Sequence, residues 1–194
     1  MEPKPSTSDT TPSGRPRRIT NPAIGDVATF VESTEEGGGK RLMVKITLAP
    51  RGGNVMHVHL TQTESFKVLS GELRVSIGDQ NRTLAVGEDA TVPPGTRHRF
   101  FSESDEPITF LVTVLEPGRL EDTLRILYGL AGDGKVRKGG TPKNPLVIAI
   151  VSQWGDIYLA SLPVWLQIAL FKPLAALARA MGYEKKLGVY LTAS

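Results

Sequence analysis

Gly53-Asn54-Val55-Met56-His57-Val58-His59, followed after four residues by Glu64 and after six more by Gly71, is the part of this chain from which its fold can be read. A second run begins at Gly87 and continues Val92-Pro93-Pro94-Gly95-Thr96-Arg97-His98. The protein has three histidines, and all of them lie in these two runs. Alternate side chains of a β-strand share a face, so His57 and His59 point the same way. Two imidazoles on one strand, a carboxylate beyond a short turn and a third imidazole from a distant strand can converge on one cation. A His-x-His dipeptide alone would be an ordinary half-buried strand. The matching offsets of Glu64 and His98 make one divalent transition metal, held by His57, His59, Glu64 and His98, the expected reading. Imidazole suits iron, nickel, copper and zinc, and the carboxylate widens the choice toward manganese, so the ligand set leaves the ion's identity open.

With those residues in place the chain resembles the cupin superfamily, described by Gly-x5-His-x-His-x3–4-Glu-x6-Gly and, downstream, Gly-x5-Pro-x-Gly-x2-His-x3-Asn. The first motif is met at His57, His59, Glu64 and Gly71, the second at Gly87, Pro93, Gly95 and His98. Arg51 holds the place of the opening glycine, with Gly52 and Gly53 following it, and Ser102 stands where the family usually has asparagine. The resemblance covers residues 20–118. It implies a mainly β fold, a small antiparallel β-barrel of the jelly-roll kind with the metal inside, and a homodimer as the usual assembly.

Composition agrees with a compact domain plus an extension. Hydrophobic residues make up 40% and charged residues 22%, an ordinary globular balance. Glycine and proline, 20 and 14 of them, fit many short strands and turns. The absence of cysteine excludes disulfides and thiolate ligands. The N-terminus lacks an apolar run beside its charges, which makes a cytoplasmic location the default expectation. The net charge of +3 is unevenly spread: residues 21–118 carry nine basic and thirteen acidic groups, residues 119–194 ten and five. So mild an excess, without interleaved aromatics, gives no reason to expect a nucleic-acid partner.

The expected organisation is a disordered leader over 1–19, rich in Pro, Ser and Thr, a barrel over 20–118 and a C-terminal α-helical extension over 119–194. Strands are predicted at 26–33, 41–48, 55–60, 64–69, 72–77, 82–86, 90–92, 98–102 and 108–115. Helices are predicted at 120–130, from Asn144-Pro145 through Trp154, and at 163–181, the last bent or interrupted near Pro173.

Alternation from the ligands also predicts the pocket. Val55 shares the face of His57 and His59, Phe66 and Val68 share that of Glu64, and Phe100 and Ser102 that of His98; Phe110 joins from the last strand. For each phenylalanine alone, plain core is the better reading; together they make the metal's surroundings apolar. An inward lysine or arginine suited to a sugar phosphate is missing from this register.

The leading functional reading is a metal-dependent cupin acting on a small apolar or aromatic molecule, an oxidoreductase resembling the quercetinase-type dioxygenases, with Glu64 able to serve as catalytic base. A small-molecule-binding module without turnover comes second and a metal-dependent isomerase third. The apolar stretch 157–181 has nearly the roughly 20 residues a membrane span needs. Pro163, Pro173, Lys172 and Arg179 argue against spanning. Docking on the barrel or a second subunit is the expected fate of its apolar surface, and peripheral membrane contact through this helix the alternative.

Overall fold

The computed structural model describes residues 8–192. Strands β1 (Arg18–Asn21), β2 (Asp26–Glu32), β3 (Arg41–Leu48), β4 (His57–Val58), β5 (Thr63–Ser70), β6 (Leu73–Ile77), β7 (Gln80–Leu84), β8 (Asp89–Val92), β9 (His98–Phe101) and β10 (Ile108–Leu115) precede the helices α1 (Leu120–Gly132) and α2 (Pro145–Gly155). A short β11 (Tyr158–Leu159), α3 (Val164–Ala180) and α4 (Tyr183–Leu187) follow. Pairing is antiparallel throughout and defines two sheets, β1-β2-β3-β10-β5-β8 and β11-β4-β9-β6-β7. The protein is therefore mainly β, with two antiparallel sheets and a helical C-terminal part.

Alternation sets the core. In β2 and β10 every second side chain is buried, which places Ala28, Phe30, Ile108, Phe110, Val112 and Val114 on one inner face. Phe66 of β5 and Phe110 meet Phe100 of β9 edge-on, with ring centroids 5.8 and 5.0 Å from it, so the two sheets face each other across an aromatic centre. Gly71 turns β5 into β6 at φ +80°, and a Cβ there would lie 2.5 Å from Ile108 Cγ2. The opening glycine missing at Arg51 has a substitute. Gly53 passes so close to β9 that a Cβ would sit 2.7 Å from Phe101 Cβ, and Asn54 exchanges two hydrogen bonds with Phe100, one through its backbone N–H and one through its side-chain oxygen.

A second core joins α1, α2 and α3 through Ile126, Leu130, Val147, Ile150, Ala175 and Ala178. Asn144 caps α2 by accepting the Leu146 N–H, with Pro145 at the first helical position. Helix α3 runs on through Pro173 without a break, correcting the expected interruption. The expected leader needs correction as well. Its first seven residues lie outside the described part, but from Ser8 onward the chain is held in place. Arg15 pairs with Glu121 and Asp122, Arg17 with Glu36 at 2.5 Å, and Thr11 is buried. The reason is electrostatic: buried Glu121 needs cations, and Arg15 and Arg125 both supply them to its Oε1 at 2.9 Å.

Asp26, at the start of β2 and 4% exposed, has one backbone N–H, from Ala49, to offset its burial. Burial pushes its carboxyl up to about 6. A raised acid favours the fold below its unfolded pKa and opposes it as pH rises through the folded value. Asp26→Asn is therefore expected to stabilise the protein by roughly 2–3 kcal/mol above about pH 7 and by almost nothing near about pH 4. Chemical denaturation of both proteins at the two pH values checks this.

Candidate metal centre

The four predicted ligands come together. His57 lies on β4 and pairs directly with His98 on β9, while Glu64 sits on β5 between Val92 of β8 and Val114 of β10. All four side chains are buried, and one donor atom from each lies within 4.8 Å of the others. His57 Nε2 is 3.1 Å from His59 Nε2, His98 Nε2 is 2.8 Å from Glu64 Oε2, and His59 Nε2 is 3.9 Å from the same oxygen.

The other ring nitrogens explain why this cluster calls for a cation. Each Nδ1 stands 2.9 Å from a backbone carbonyl: Val55 for His57, Asp156 for His59 and Thr96 for His98. A carbonyl only accepts, so each Nδ1 carries the hydrogen and each neutral ring turns a bare Nε2 lone pair inward. Two such lone pairs, those of His57 and His59, stand 3.1 Å apart and repel each other, and His98 Nε2 avoids the same repulsion from the Glu64 carboxylate only by holding a proton or a cation. Separations of this size suit donors to one first-row cation with bonds of about 2.1 Å. The residues present therefore fit the metal the motifs imply.

The electrostatics agree. Burial first, then the neighbouring His98 and His59, push His57 down to about 3, so it stays a neutral donor. Burial works to raise Glu64, yet the His98 hydrogen bond first, and then the interactions with the neighbouring His59, His98 and His57, hold it below the ordinary carboxylate value. His98 is raised: burial opposes its charging, but the hydrogen bond to Glu64 and that carboxylate's charge outweigh it.

Of the predicted pocket residues, Phe66 has its ring centroid 6.4 Å from that of His98. Phe100 and Phe110 stack edge-on behind it, and Val68 belongs to the same buried cluster. Val55 does not line the site and is a correction: it is 55% exposed. Strand pairing of β4 begins only at His57, so period two cannot be extended back to residue 55. Val55 contributes its backbone carbonyl, turned toward His57 Nδ1.

The helical part supplies a contact the sequence did not reveal. Asp156 caps α2 in a left-handed conformation, φ 53° and ψ 41°. Its carbonyl accepts from His59, and its Oδ2 accepts from the N–H groups of Leu60 and Thr61, both at 2.7 Å, and from the Thr61 hydroxyl. β11 adds Leu159 opposite His57. Gln62 Nε2 donates to the carbonyls of Pro117 and Gly155. The metal strand is thereby held from outside the two motifs.

With this geometry in view, comparison with known proteins is decisive at one level. Residues 44–114 match the family model described as a cupin domain. The chain carries a cupin domain. An oxidoreductase of Arthrobotrys oligospora is 29% identical over 117 residues, spanning 56% of this cupin-bearing chain and 45% of that protein. Oxidoreductase OpS7 of Beauveria bassiana is 29% identical over 136 residues, spanning 58% and 44%. The chain thus spans less than half the length of these two curated relatives. A crystal structure of a predicted oxalate decarboxylase from Thermotoga maritima is similar with a TM-score of 0.47 and 20% identity, over 52% of this chain and 91% of that one.

The cupin is expected to bind about one divalent transition metal per chain, and His57→Ala with His98→Ala to abolish binding. Asp156→Ala, which keeps all four ligands but releases Leu60 and Thr61, is expected to weaken affinity about 10–100-fold. Isothermal titration of the apoprotein measures both; full occupancy in the double variant would contradict the assignment.

Proposed function

We propose that this cupin is a metal-dependent oxidoreductase acting on a small, largely apolar or aromatic molecule, most specifically a dioxygenase of the quercetinase type. The observation that carries the reading is the junction of polar and apolar surfaces at His98. Its Nε2 faces Glu64, and the ring lies against Phe66 and the aromatic centre behind it. Three imidazoles and one carboxylate leave coordination positions open on a bound transition metal, which then supplies Lewis-acid and one-electron chemistry. The chain's own groups do the rest. The Nδ1–H bonds to Val55, Asp156 and Thr96 keep the imidazoles oriented with Nε2 turned toward the site. Phe66 and Phe100 make the side of the site behind the ligands apolar and exclude water from them. Glu64, whose Oε2 lies 2.8 Å from His98 Nε2, is the carboxylate to which this reading assigns the removal of a hydroxyl proton from the substrate. The name oxidoreductase carried by both curated relatives supports this class.

Binding without turnover is the second reading, favoured by one feature: the phenylalanines fill the centre tightly, so Phe66, Phe100 and Phe110 are as much core as wall. Incubating the metal-loaded protein with a flavonol or catechol panel under air and under nitrogen separates the possibilities. Consumption of substrate and dioxygen in air alone, lost in Glu64→Gln, is the expected result. Equal turnover under nitrogen would replace the proposal with an isomerase or decarboxylase, and saturable binding with no consumption would replace it with a carrier.

A further inference from the structure

Helix α3 is built inside out. Its one uncharged polar side chain, Gln167, is 3% exposed, and its amide bonds to the backbone of Leu159 and Leu162. Facing away from the protein are Trp165, 71% exposed, with Leu166, Leu170, Leu177 and Met181. At about 100° per residue Trp165, Leu166, Leu170 and Leu177 share one face, opposite the side on which Gln167, Ala175 and Ala178 pack. Lys172 and Arg179 run along the Trp165 edge of that face. The helix has already used its other side against α2, so the expected docking on the body of the protein leaves this surface uncovered. A contiguous exposed apolar face of this size marks an interaction site.

We propose that this face is a docking surface for an anionic lipid bilayer, with α3 lying in the plane of the interface. Charge selects the occupant. Residues 157–192 hold four basic groups, Lys172, Arg179, Lys185 and Lys186, against the single acid Glu184, which is itself paired with Arg179 at 2.7 Å. Long basic side chains beside an apolar face reach the headgroups while the face enters the acyl boundary, and an exposed tryptophan suits that depth. A second copy of the chain fits less well. Lys172 stands at the midpoint of α3, so a two-fold antiparallel contact centred on the helix would bring the two copies' Lys172 side chains together. Crossing the bilayer fits no better. Among the described residues no single helix is long and apolar enough, and α3 turns by 82° into the stretch Tyr183–Tyr190. The inference is independent of what the metal centre does.

Flotation of the 194-residue chain with vesicles of phosphatidylcholine, with and without phosphatidylglycerol, at low and high salt tests it. The expected result is flotation with the phosphatidylglycerol vesicles only, reversed by salt and accompanied by a blue shift of emission that is absent in Trp165→Phe. Leu170→Asp should abolish binding while leaving metal stoichiometry unchanged, which shows that the variant folds. Lys172→Glu with Lys185→Glu should weaken partitioning about 25-fold or more, at about five-fold for each lysine charge removed. No flotation, or equal flotation with phosphatidylcholine alone, would overturn the proposal. So would resistance to alkaline carbonate, which means spanning, or a concentration-dependent dimer dissolved by Leu170→Asp in a protein that ignores vesicles.

Discussion

Each histidine of this protein gives its Nδ1 hydrogen to a main-chain carbonyl, and each therefore turns an unshared Nε2 pair toward the same small volume. Lone pairs packed this closely in a buried site are unfavourable unless a positive centre lies between them. A proton held between His98 and Glu64 can relieve one contact. A divalent cation relieves them all. The backbone has set the tautomers, and the tautomers make the cluster a ligand set.

The architecture reads as the means of delivering those carbonyls and rings to one place. The direct pairing of His57 with His98 joins the two motifs across β4 and β9. Glu64 arrives from the opposite sheet on β5, which is flanked on both sides by other strands and so has little freedom to shift register. The aromatic rings between the sheets fix their separation behind the ligands. The least obvious support comes from beyond the cupin domain. Asp156, at the end of α2, orients His59 and caps the turn after it, so the helical part completes the surroundings of the metal strand.

The ligands were legible in the sequence because their spacing is local and strand alternation is strict. The same rule gave the correct inward face for Phe66, Phe100 and Ser102. It failed at Val55 because β4 is two residues long and the preceding segment is held by Gly53 and Asn54 instead. Asp156 was invisible for a different reason. It acts on residues 95–97 positions away, and a Gly-Asp pair after an apolar helix signals only a helix end. β1 escaped notice because Arg18–Asn21 is short and polar, and its place is fixed by pairing with β2. The exposure of α3 was likewise beyond sequence pattern, since an apolar helix reads as buried until its neighbours are seen.

Because the chain has only three histidines, their tautomers can be read one by one in solution. A long-range proton–nitrogen-15 correlation spectrum of the protein loaded with diamagnetic zinc resolves, for each ring, which nitrogen holds the hydrogen and which is bound to the ion. All three rings should carry hydrogen on Nδ1 and bind zinc through Nε2. A single ring with hydrogen on Nε2, or one whose Nε2 is unaffected by the metal, would contradict the account.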